Sequence, residues 1–165
     1  MGIGDITARF AEPSDLDEMA AIYAESFDEL QPRLAVEQYL RPKGTWALVA
    51  LMTTELGEAI AGYILMRNAA DEAEIFSIGV AARFRQCGVG LALLQAMHGV
   101  AHIRGARTAY LEVGIDNKAA RALYSKAGYE IIGQRPDYYR NPGGDRVTAL
   151  VLRRALEYIE NLDSS

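Results

Sequence analysis

Six consecutive residues, Arg85-Gln86-Cys87-Gly88-Val89-Gly90, have the make-up of an anion seat. An apolar run over 75–80 precedes them and an amphipathic run rich in leucine follows, so they stand where a strand would hand over to a helix. Glycine removes the side chain that would hold a ligand away from the backbone. The first turn of a helix offers unpaired N–H groups and the positive end of the macrodipole. With Arg85 adding formal charge and Arg83 close by, the combination suits a phosphate or pyrophosphate. The plain alternative is a strand-to-helix turn with glycines for geometry and arginines for solubility, and the hexapeptide alone does not choose. A Walker-type loop is excluded, because Leu91-Ala92 stands where Lys-Ser or Lys-Thr would be needed. A dinucleotide fold would need a third glycine and repeated parallel units, which an N-terminal hairpin opposes.

Other reactive side chains offer less. His98 and His102 lie four apart on one helical run, a spacing compatible with a metal, but no third ligand accompanies them and they read as surface histidines, with no metal expected. Cys87 has no activating neighbour and reads as a loop residue rather than a nucleophile. It is the only cysteine, which rules out an internal disulfide and suits a reducing compartment.

The elements that must position these residues follow from pattern. With 165 residues, 50% hydrophobic, 24% charged and a net charge of −5, the expectation is one soluble domain over 1–165 with a sizeable core. The acidic balance opposes nucleic-acid binding. The start lacks a basic-then-apolar leader and no apolar run reaches a membrane-spanning length, so the expected location is cytoplasmic with no membrane partner. A first strand over 6–10 leads to a helix whose start resembles a Ser14–Asp17 cap, with Leu16, Met19, Ala20, Tyr23 and Phe27 on one face. A short helix over 32–40 stops at Pro42. Strands over 46–53 and 60–67 form a hairpin, a polar connection over 68–72 follows, and the sheet continues over 74–80. Gly79 inside that strand suggests a bulge or a close ligand approach. The long helix runs over 89–103, with its leucines in the core, then come a strand over 108–113, a helix over 118–126 closed by Gly128 and a strand over 130–134. Residues 136–144 read as a loop and 146–152 as a last strand; Arg153, Arg154 and the acidic tail look like solvated ends.

This order of elements, with five ordered segments, resembles the GNAT superfamily of N-acetyltransferases. The hexapeptide is similar to the family's R/Q-x-x-G-x-G/A motif, which seats the pyrophosphate of acetyl-CoA. Tyr110-Leu111-Glu112-Val113, Asn117, Ala122-Leu123-Tyr124 and Ala127-Gly128-Tyr129 resemble the second half of its core. The likeness covers about 74–152 well, and 1–70 only in element order. Within the superfamily the chain resembles the RimI-type subgroup, which acetylates the N-terminal alanine of a ribosomal protein and also has paired tyrosines where Tyr138-Tyr139 stand. The resemblance implies an α/β fold with a mixed, mostly antiparallel twisted sheet of six to seven strands and about four helices. It also implies acetyl-CoA as co-substrate, without a metal, and an amine acceptor. Ile78, Gly79 and Val80 would run beside the pantetheine arm, with Arg85 to Gly90 at the pyrophosphate and Asn117 and Tyr124 also against the co-substrate.

Acetyl transfer to an amine requires a neutral amine, a stabilised oxyanion and a protonated leaving thiolate. A peptide α-amine has a pKa of about 7.7–8.0, so a base is useful at neutral pH. The resemblance gives that role to Glu112, directly or through water; the alternative is a solvent-facing strand residue. A backbone N–H near 78–80 would stabilise the oxyanion. Tyr124 becomes the acid: its phenol, near pKa 10, lies about 1.5 pH units above a thiol near 8.5, a gap of roughly 2 kcal/mol. Asn117 doubles as a helix cap, Ala120 leaves room on the same face, and Tyr124 has a core reading as well. Tyr138 and Tyr139 would line a mouth for a peptide N-terminus, or pack the loop. The subgroup's Phe-Pro-Trp-like segment is missing; Glu25-Ser26-Phe27-Asp28-Glu29 replaces it, and its acids would favour a cationic amine. A small-molecule amine or a lysine therefore stays open as acceptor, as does a non-catalytic acyl-CoA sensor.

Overall fold

The structure is a computed structural model that describes residues 4–140 and 143–156. Seven strands form one sheet in the order β1-β2-β3-β4-β5-β7-β6. They are β1 (Ile6–Phe10), β2 (Thr45–Thr54), β3 (Gly57–Ala69), β4 (Glu72–Val80), β5 (Thr108–Gly114), β6 (Glu130–Arg140) and β7 (Arg146–Ala155). The helices are α1 (Leu16–Ser26), α2 (Pro32–Leu40), α3 (Val89–Ile103) and α4 (Lys118–Lys126). This is the mixed, mostly antiparallel α/β architecture expected: among the described residues only β4 and β5 pair in parallel.

β2 and β3 read as continuous apolar runs because both of their faces are covered. A Cβ on Gly62 would lie 3.0 Å from Val89 and 3.1 Å from Leu93, so α3 lies close on one face. A Cβ on Gly79 would meet Tyr63 at 2.6 Å and Ile22 at 3.1 Å, so α1 covers the other. Leu93 and Leu94 of α3 are fully buried, as the leucine-bearing helix suggested, while Leu91 is only half-buried. Trp46 donates to Asn68, whose amide in turn donates to the Ala101 carbonyl and ties α3 to the β2–β3 hairpin. No helix among the described residues is long and apolar enough to cross a membrane.

Several local readings change. The entry to α1 is capped not by Ser14 and Asp17 but by a 3-10 turn over Pro13–Asp15, in which the Asp15 carboxylate accepts the Glu12 N–H at 2.7 Å. The connection expected over 68–72 shrinks to Ala70 and Asp71, with Ala70 at φ 51°, because both strands extend into it. β6 continues to Arg140 through the segment read as a loop. Its ladder is interrupted between Arg135 and Tyr139, where Pro136 and the positive-φ Asp137 arch away, and then resumes against β7. His98 is buried rather than on the surface: its Nε2 shares a 2.7 Å hydrogen bond with the Tyr129 hydroxyl. The acidic tail and the residues Asn141-Pro142 of the turn lie outside the described residues.

Candidate active site

The site begins where the sheet comes apart. β4 and β5 pair at only three positions, Glu72↔Thr108, Ala73↔Ala109 and Glu74↔Tyr110. Immediately beyond, β4 bulges: Met66 faces Ile75 and Leu65 faces Ser77, leaving Phe76 without a partner on β3. A bulge bends its strand and sharpens the twist. Phe76 is stacked on Tyr39 of α2 (5.9 Å between centroids), and Tyr39 in turn meets Tyr23 of α1. Past this point β5 keeps β7 on its far side. Among the described residues, backbone groups on the facing edges of 75–80 and 111–114 have no strand partner, and such groups are obligatory hydrogen-bonding sites. Ile78, Gly79 and Val80 lie on this edge. Gly79, however, is not the bulge, and a Cβ there would come within 2.6 Å of Tyr63 and 3.1 Å of Ile22.

The same edge leads into the glycine loop. After a 3-10 turn at Ala82–Phe84, Gln86 (φ 61°) and Gly88 (φ 86°) adopt left-handed conformations, and α3 starts at Val89. Gly88 is needed for its φ, since a Cβ there would meet nothing nearer than 4.0 Å. Gly90 serves packing, because a Cβ would come within 2.9 Å of Leu123 on α4. The first helical hydrogen bond to return to the loop is from Ala92 N–H to Gly88 O, at 3.0 Å, so the N–H groups ahead of it are left to an anion. Cys87 turns its sulfur back to the Arg85 carbonyl at 3.5 Å. Glu25 is committed here: its Oε2 accepts the Ala82 N–H at 2.9 Å and lies 4.0 Å from Arg85. It fastens α1 to the loop.

Glu112 stands on β5 with its side chain on the same face as Tyr110, alternating with buried Leu111 and Val113. It walls a groove of about 380 Å³ with Arg67, Glu72, Glu74, Tyr110 and Arg135. Arg135, which sequence reasoning passed over, places its Nε 3.1 Å from Glu112 Oε1. Register supplies the signal: Arg135 aligns with Ala149 and Gly114 across β7 and β5, and Gly133 with Val151 and Glu112. The small side chains on that path let the guanidinium reach back. Its Cζ also lies 5.3 Å over the Tyr138 ring, and Tyr138 is half-exposed.

Tyr124 on α4 is buried and packs edge-on against Tyr129, with centroids 6.0 Å apart. No hydrogen bond reaches its hydroxyl among the described residues, and none joins it to Glu112. Burial pushes its pKa up to about 12, so the gap to a thiol near 8.5 widens to about 3.5 pH units, roughly 5 kcal/mol. Desolvation acts the same way on a thiolate, so a sulfur released beside it rises as well. Asn117 caps α4, its Oδ1 accepting Ala120 N–H at 3.1 Å, which leaves its amide N–H groups to point elsewhere. Tyr139 donates its hydroxyl to Asp116 at 2.8 Å and fills the space above Gly114, where any side chain would collide with it. Burial and the Asp116 bond push its pKa up to about 12. The two tyrosines are thus parted: Tyr139 is held inward and Tyr138 faces the groove's arginine. Among the described residues no three metal-binding side chains come together.

The chain as a whole has counterparts among known proteins. Residues 16–129 match the Acetyltransferase (GNAT) family. The chain belongs to that family. A GNAT relative, the ribosomal protein bS18-alanine N-acetyltransferase of Haemophilus influenzae, is 34% identical over 93 residues, 56% of this chain and 63% of that protein. The N-alpha-acetyltransferase RimI of Mycobacterium tuberculosis is 38% identical over 96 residues, 56% of this chain and 59% of that protein. The aligned stretches thus span under two thirds of these relatives. Among solved GNAT structures, the ribosomal-protein-S18-alanine N-acetyltransferase of Escherichia coli superposes with a TM-score of 0.80 at 25% identity, covering 96% of this chain and 99% of that one.

Proposed function

We propose that this GNAT protein transfers the acetyl group of acetyl-CoA to an amine, and that the acceptor is the N-terminal α-amine of a protein or peptide. The observation that carries the reading is the end of β4–β5 pairing after Glu74 and Tyr110, directly beside a helix that begins on left-handed Gly88. An extended, amide-bearing arm fits the unpaired strand edges, including those of Ile78 to Val80, and a pyrophosphate fits the loop from Arg85 to Gly90. Acetyl-CoA supplies the thioester. Glu112 takes a proton from the acceptor ammonium, directly or through water, leaving a neutral amine to attack. A β4 N–H donates to the carbonyl oxygen as charge develops there. As the C–N bond forms and the C–S bond breaks, Tyr124 gives its hydroxyl proton to the sulfur, and the proton that the nitrogen sheds on becoming an amide returns through solvent to the tyrosinate. Tyr138, and Tyr139 as its inward support, border the acceptor's approach. The RimI names of the relatives support a peptide N-terminus, a ribosomal protein among the candidates.

The test is thiol release from acetyl-CoA against peptides beginning with Ala, Ser or Met, a blocked peptide containing lysine, and spermidine. Preference for a free N-terminus, with turnover falling about 100-fold or more in Glu112→Gln and in Tyr124→Phe, supports the proposal. Activity confined to lysine or spermidine removes the proposed acceptor while keeping the chemistry. Saturable CoA binding with no turnover on any amine replaces the enzyme with a sensor.

A further inference from the structure

The contact between Arg135 and Glu112 differs from an anchoring ion pair. At 3.1 Å it is close, yet the N–H is not aligned on the oxygen as a hydrogen bond, in contrast to Arg33 and Glu37, whose 3.0 Å pair is also a hydrogen bond. The arginine side chain is 56% exposed against 24% for the glutamate. The guanidinium already lies over a second seat, the Tyr138 ring. Its backbone precedes the arch at Pro136 and Asp137, where the β6 ladder is interrupted. Elsewhere in the groove, Arg67 is tied to the Lys43 carbonyl at 3.2 Å, so it does not compete for Glu112.

We propose that Arg135 is the resting partner of Glu112 and is exchanged for the acceptor's ammonium on binding, the guanidinium withdrawing onto Tyr138. The inference rests on the reading of Glu112 as the group that meets the amine. It makes Arg135 a positioning residue that sets acceptor affinity and selects for a cationic end: a neutral acceptor gains nothing by displacing it. No covalent bond changes in the exchange, in which one cation replaces another on one carboxylate.

Calorimetric binding of an uncharged-side-chain tetrapeptide amide beginning with alanine, with CoA present, tests the exchange without relying on turnover. Arg135→Gln is expected to lower its Kd about two- to fivefold, the range of a partly exposed ion pair, and Arg135→Lys to restore it. The N-acetylated peptide, lacking the ammonium, is expected to show no such gain. Arg140→Gln, which removes the same charge elsewhere on β6, is expected to leave the Kd unchanged. Equal affinities for wild type and Arg135→Gln overturn the exchange, as does a gain shared by Arg140→Gln or by the acetylated peptide. In the Glu112→Gln background the Arg135→Gln effect disappears if the exchange is on that carboxylate, and persistence overturns it. Exchange with unimpaired turnover in Glu112→Gln instead defeats the catalytic reading alone.

Discussion

At one edge of the sheet Arg9 of β1 holds Asp15 with two hydrogen bonds, at 2.7 and 3.0 Å, and the carboxylate is buried and also accepts the Glu12 N–H. At the other edge Arg135 of β6 meets Glu112 without an aligned hydrogen bond, on the wall of an open groove. The residue types are the same, and the difference lies in what else the carboxylate touches. Asp15 has its lone pairs spoken for by the turn that starts α1, so its ion pair is part of the local fold. Glu112 keeps most of its lone pairs for whatever enters the groove. A bidentate, buried pair specifies structure, whereas a point contact at a rim leaves its carboxylate available for exchange.

The comparison can be broken most forcefully at Glu112. Glu112→Gln is expected to cut turnover by about 10²–10⁴ while leaving the unfolding midpoint within about a degree, and a large loss of thermal stability would show that this pair too is structural. A buried polar contact of another kind sharpens the contrast. Burial, with a smaller contribution from Arg154, lowers the His98 pKa to about 4, so the unfolded chain binds more protons between that value and about 6.5. Stability is therefore expected to fall by about 3 kcal/mol as pH drops through this window, a slope that denaturant titrations of His98→Gln should lack.

Next in size, Asp15→Asn is expected to cost about 2 kcal/mol in denaturant unfolding, with activity per folded molecule unchanged. The Arg9 hydrogen bond holds the Asp15 pKa below its ordinary value. That contribution is present above about pH 4 and is lost as pH falls through the lowered value, so the acid limb of the stability curve should flatten in Asp15→Asn. Smallest of all, Tyr138→Leu removes the second seat of Arg135 and is expected to weaken binding of the alanine tetrapeptide about twofold more than binding of its acetylated form.

Most of the frame could be read from pattern: the apolar runs of β2 and β3, the Asn117 cap and Gly128 stop of α4, and the loop from Arg85 to Gly90 fall where the sequence places them. What escaped depends on neighbours distant in the chain. The bulge lies at Phe76 because aromatic residues of α1 and α2 gather there, whereas the sequence shows only a glycine three residues later, packed against Tyr63. His98 looks like a surface residue on its own helix and is buried by Tyr129, which follows α4. Arg135 lies 23 residues from Glu112 and becomes its neighbour only through the register of two strand pairings. Proline and aspartate beyond it suggest a loop, although β7 recovers the ladder after the arch.

An open sheet ordinarily has two edges to protect from stray strands, and divergence after Glu74 and Tyr110 gives this one a further pair inside itself. Helix α1 packs on one face of the adjoining strands and α3 on the other. A slender, amide-bearing molecule that bridged the two inner edges would restore continuity to the sheet. Such a molecule present at a hundred times its Kd would add about 2.7 kcal/mol to the stability of the whole domain.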